Sequence, residues 1–108
     1  MMTLSSAEHQ QMLNFRNALC AALRMAATER SKHEAPVETP YGTELEWMGR
    51  ERGMLRQMVN QRRAQLRTGP VTEDEVYAVE QSAAGHIDYA EKFTLRLAFL
   101  AYGLDWRP

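Results

Sequence analysis

Residues 43–70, TELEWMGRERGMLRQMVNQRRAQLRTGP, decide the fold. Trp47, Met48, Met54, Leu55, Met58 and Val59 recur at the three- and four-residue spacing of one helical face, a pattern that a strand with its period of two would scatter over both sides. Thr43-Glu-Leu-Glu46 forms a capping box at the start, where the threonine hydroxyl accepts from an orphan amide of the first turn and Glu46 reaches back. Thr68-Gly-Pro70 stops the run, so the segment reads as one helix over 43–67.

The same signals recur on both sides of it. Ser5-Ser-Ala-Glu8 is a second capping box, and it opens a helix over 5–33 with an apolar stripe of Met12, Phe15, Leu19, Ala22, Leu23 and Ala26. Leu13, Cys20 and Ala27 widen that stripe, and Cys20 suits a small buried apolar site. Residues 34–42, EAPVETPYG, carry two prolines that push their predecessors out of the helical region, so this is an extended connector whose Val37 and Tyr41 are expected to dock on the bundle. Thr72-Glu-Asp-Glu75 starts a helix over 72–84, Gly85 breaks it, and Asp88 caps a last helix over 88–103. Four helices and no alternating pattern predict an all-α protein, a small helical bundle forming a single domain over 1–108.

Composition narrows the function. The 108 residues are 44% hydrophobic and 25% charged, with a net charge of -1, which suits a globular domain and supplies no overall field to attract nucleic acid or an anionic membrane. No stretch reaches the roughly 20 apolar residues of a membrane span, and Met1–Gln11 lacks a basic start followed by an apolar run. A single cysteine leaves no intramolecular disulfide and no Cys-rich zinc site, so a reducing cytoplasm is the expected setting. A chain this small buries a limited fraction of its surface, which favours association and predicts a homodimer.

Helix 88–103 has two apolar faces. Tyr89, Phe93, Leu97, Leu100 and Leu104 form one stripe, while Leu95, Phe99 and Tyr102 fall on the opposite side. A second apolar face needs a cover, so Leu95, Phe99 and Tyr102, with Trp106 in the tail, are the candidate protein interface. Gly49 and Gly53 join them: glycine inside a helix costs roughly 1 kcal/mol relative to alanine, and close approach of a partner would explain two of them one turn apart.

Arg52, Arg56, Arg63 and Arg67 line one flank of helix 43–67 and are the candidate nucleic-acid contacts, the alternative function. The turn at Gly69-Pro70 is expected to fold helix 72–84 back antiparallel, which brings Glu73, Asp74 and Glu75 toward Arg63 and Arg67 and neutralises them. Arg62 and Glu80 sit within apolar stripes and are expected to form a buried ion pair. Glu51, Glu80, His86 and Asp88 are the residues a third reading, a small metal-dependent or acid/base enzyme, would use. Helical di-metal sites normally repeat a Glu-x-x-His pair, which is missing here, as are a Gly-rich phosphate loop, G-x-S-x-G and HExxH. The expectation is therefore a non-enzymatic protein-interaction module without a cofactor, a regulator, adaptor or inhibitor of a larger protein.

Overall fold

The computed structural model describes the backbone of residues 4–33 and 42–107 and the side chains of residues 4–26 and 51–107. Within them the chain forms four helices, α1 (Ser6–His33), α2 (Gly42–Gln65), α3 (Glu73–Ala83) and α4 (Tyr89–Ala101), and no strand. The all-α bundle expected from the sequence is the fold, with each boundary within two residues of its expected place. Val37, Tyr41, the Thr43 box, Trp47, Met48 and Gly49 lie outside the residues whose side-chain surroundings are described.

Among the described residues the starts of α1 and α3 follow the expected chemistry and that of α4 does not. Ser5 and Glu8 cap α1 reciprocally: the Ser5 N–H donates to Glu8 Oε1 and the Glu8 N–H to Ser5 Oγ, both at 3.2 Å. Thr72 Oγ1 accepts from the Glu75 N–H at 3.2 Å at the start of α3. Asp88 is the exception, because its side chain makes no capping hydrogen bond and lies 3.8 Å from Lys92 Nζ instead.

Two of the helices end in Schellman motifs. After α4 the Leu104 N–H reaches the Phe99 carbonyl at 2.9 Å and the Gly103 N–H reaches Leu100 at 3.2 Å, with Gly103 left-handed at φ 73. After α2 the same bonds run from Thr68 to Arg63 and from Arg67 to Ala64, but the left-handed position is Arg67, at φ 57. The helix thus stops two residues before Gly69, on a residue with a Cβ, which costs roughly 1–2 kcal/mol relative to glycine.

One apolar cluster joins all four helices. Phe93, Leu97, Ala98 and Ala101 of α4 are wholly buried, as are Leu19 of α1, Leu55 and Val59 of α2, and Val76, Val79 and Ala83 of α3. Each large side chain of this set contributes roughly 1.5–3 kcal/mol by leaving water. Small residues let α4 sit deep: Thr94, Ala98 and Ala101 form a stripe of their own, and Thr94 Oγ1 satisfies itself by donating to the Ala90 carbonyl at 2.8 Å. Asn60 fixes the turn between α2 and α3, its Oδ1 accepting from the Val71 N–H at 2.8 Å and its Nδ2 donating to the Val71 carbonyl at 3.4 Å.

Candidate functional site

The buried sector of α4 runs through residues 93, 94, 97, 98, 100 and 101. Leu95 and Phe99 project from the opposite side and are half-buried. Phe99 leans on the core cluster, whereas Leu95 lies outside it. Past the Schellman turn the chain folds Trp106 back beside them, so these three side chains share one cavity of about 420 Å³ bordered by Arg16 of α1 and by Asp88, Lys92, Arg96 and Arg107.

Tyr102 is a correction to the expected interface. It is only 6% exposed, and its ring meets Phe15 edge-on with 6.3 Å between centroids. The Tyr102 N–H keeps the helical bond to the Ala98 carbonyl at 3.2 Å, and its ring continues the buried row of Thr94 and Ala98, so it belongs to the core side of α4 and not with Leu95 and Phe99. At Gly53 a Cβ would meet nothing within 4 Å among the described residues, so the position is open on that side.

A second cavity of about 330 Å³, lined by Arg16, Asn17, Cys20, Ala21, Arg24 and Glu91, continues the first along α1. The two meet at Arg16 and Glu91, which border both. Cys20 is therefore half-buried at a surface crease and not part of the core expected for it. An exposed ion pair, Arg24 Nη2 to Glu91 Oε1 at 3.4 Å, spans α1 and α4 here.

The ion pair expected between Arg62 and Glu80 does not form. Glu80, with no exposed surface, accepts instead from Arg52 Nη1 at 2.8 Å. Arg62 stacks its guanidinium over the rings of Phe15 and Tyr102, at 5.1 and 6.0 Å from their centroids. The register of α3 on α2 differs from the expected one by about three helical turns, which trades one arginine for another on the same helix. Arg52 also covers the Tyr77 ring at 5.0 Å and keeps an edge in water. Burial holds the Glu80 carboxyl above its ordinary value, opposed by the hydrogen bond and charge of Arg52. Tyr89 is driven up as well, first by burial and then by the carboxylates of Glu80 and Glu51. Glu51 is buried, as its place in the apolar stripe implied.

The arginine flank is largely engaged in the fold. Arg63 does not pair with Glu73, Asp74 or Glu75; its Nε donates to the Gly69 carbonyl and its Nη1 to the Leu100 carbonyl, both at 2.6 Å. A cation is thereby placed at the C-terminus of α4, whose own last turn has none. Arg96 does the same for α3, donating to the Ser82 carbonyl at 2.8 Å and to Ser82 Oγ at 2.9 Å. Of the four flank residues, Arg56 is half-buried and Arg67 is exposed at the left-handed turn.

The residues of the enzyme reading fall into two separate pairs, Glu51 and Glu80 both acting on Tyr89 inside the bundle. Glu51 and Glu80 are interior, whereas His86 and Asp88 are exposed and both face Lys92, with His86 Nδ1 3.3 Å from its Nζ. Among the described residues no group of three or more His, Cys, Asp or Glu side chains is placed to hold a metal ion, and no helix is long and apolar enough to cross a membrane. No family model matches the chain, and comparison with curated proteins and with solved structures gives no match either.

Proposed function

We propose that this protein is a non-enzymatic interaction module that regulates, adapts or inhibits a larger protein by seating part of it in the crease between α1, α4 and the C-terminal tail. One observation carries the reading: Leu95, outside the core cluster, stands beside Phe99 and Trp106, which rest on the edge of that cluster, and the three line an open cavity with charged residues at its edge. An apolar floor inside a polar rim is the arrangement in which large anchors dominate binding energy while the rim excludes water. The nucleic-acid alternative draws less support, because Arg52 and Arg63 are held by Glu80 and by backbone carbonyls.

Capture from a host lysate, with and without nuclease, tests the proposal when wild type is run beside Leu95→Glu. Leu95 lies outside the core cluster, so the variant keeps its helix content. A stoichiometric protein retained by wild type, insensitive to nuclease and lost from Leu95→Glu is the expected result. Equal retention by both removes the crease as the site, and partners that vanish with nuclease move the function to nucleic acid.

A further inference from the structure

We infer that the occupant of the crease is an acidic amphipathic helix of about three turns, contributed by a protein other than a second copy of this chain. The inference rests on the interaction-module reading and adds the chemistry of the partner. Its first support is charge. Arg16, Arg24, Lys92, Arg96 and Arg107 line the two joined cavities, against the three carboxylates Asp88, Glu91 and Asp105. Among the described lining residues cations outnumber acids by two, Arg96 being shared with Ser82, in a chain whose net charge is -1, so the excess is local and favours a partner with acids flanking its apolar anchors. A two-fold pairing of the crease with itself would set like charges against one another, which disfavours a second copy.

Shape selects a helix. The crease runs beside α4 from Asp88 to Phe99 and beside α1 from Arg16 to Arg24, a length of about 12–16 Å at 1.5 Å per residue, or roughly three turns of a docked helix. A peptide that binds by adding a strand would need a sheet edge, and the described residues contain no strand. Leu95 and Phe99 are one turn apart, a spacing that meets apolar residues at i, i+3 or i+4, and i+7 of a helix laid alongside.

The test is selection of helical peptides from a displayed library against the full chain, followed by titration of the winners into wild type, Leu95→Glu, and the charge-reversed rim Arg16→Glu with Arg107→Glu. Circular dichroism confirms that each variant retains its helices. Expected winners carry a net negative charge, bind about tenfold or more weakly to Leu95→Glu, and lose affinity with added salt. The rim reversal should weaken them similarly and, when used as bait, select basic peptides. Winners that depend on Leu95 but show no acidic bias, or ignore the rim reversal, overturn the acidic partner while leaving the crease as a site. Binding indifferent to Leu95→Glu overturns the site and the functional reading with it. A dimer in sedimentation equilibrium that Leu95→Glu dissolves would give the crease to a second copy, and an oligonucleotide that binds wild type but not the reversed rim would give it to nucleic acid; either result refutes the inference.

Discussion

Replacing Arg52 by methionine keeps an unbranched chain over Tyr77 and removes the cation that pairs with the fully buried carboxylate of Glu80. Stranding one member of a buried pair typically costs about 3–5 kcal/mol. The carboxyl has an escape, because it can take up a proton, and that sets a ceiling. Protonating a group with the ordinary value of 4.5 costs about 3.4 kcal/mol at pH 7 and about 0.7 at pH 5, at 1.36 kcal/mol per unit. Urea unfolding followed at 222 nm should therefore show Arg52→Met about 3 kcal/mol less stable than wild type at pH 7 and within about 1 kcal/mol of it at pH 5. The sign for wild type follows from the raised native value. The native state holds the Glu80 proton more tightly than the unfolded chain, so stability from this group is fully present below 4.5 and is lost as pH rises through the native value. Glu80→Gln leaves Arg52 an acceptor and no charge to bury, and should stay within about 1 kcal/mol of wild type at pH 7. A loss below about 1 kcal/mol for Arg52→Met at pH 7, or one equally large at pH 5, would refute the account of Glu80 as a buried charge held by Arg52.

Gly53 sits in the interior of α2 with open space where a Cβ would go, so Gly53→Ala should stabilise by about 1 kcal/mol, read as a higher thermal midpoint. Arg67→Gly relieves a left-handed residue with a side chain; allowing for the greater freedom of glycine in the unfolded chain, the gain is about 0.5–1 kcal/mol in urea titrations. Asn60→Ala removes both partners of the Val71 peptide groups and should cost about 1–3 kcal/mol, with loss of amide protection at Val71 in hydrogen exchange. Arg63→Met should cost about 1.5–3 kcal/mol, since a charged donor is withdrawn from two carbonyls at once.

Helix number and boundaries were legible in the sequence because their signals are local: a capping residue and its acid lie three positions apart. Apolar stripes were legible for the same reason, and Glu51 was correctly placed inside one. What one helix meets on another was not, because register across a turn depends on how the whole bundle closes. Glu80 needed a cation, and two arginines on α2 offered one; only packing chose Arg52 and sent Arg62 to the aromatic rings. Tyr102 was misplaced because on the wheel it falls between Ala98 and Leu95, and spacing alone does not show that Thr94 and Ala98 extend the buried face up to it. The outward set of Leu95 and Phe99 was visible from spacing alone, but the return of Trp106 beside them depends on the turn at Gly103. Thr94, Ala98 and Ala101 gave little signal, since small residues in a helix look the same whether they face water or a neighbour.

The arginines that close the ends of α3 and α4 come from other helices, Arg96 from α4 and Arg63 from α2. Neither end can fray without first detaching a side chain anchored elsewhere, so the openings that ordinarily run independently along separate helix termini are tied into one event. Amides in the last turns of α3 and α4 should therefore exchange with a common opening energy, and the bundle should behave as a single cooperative unit instead of a hairpin with two peelable arms.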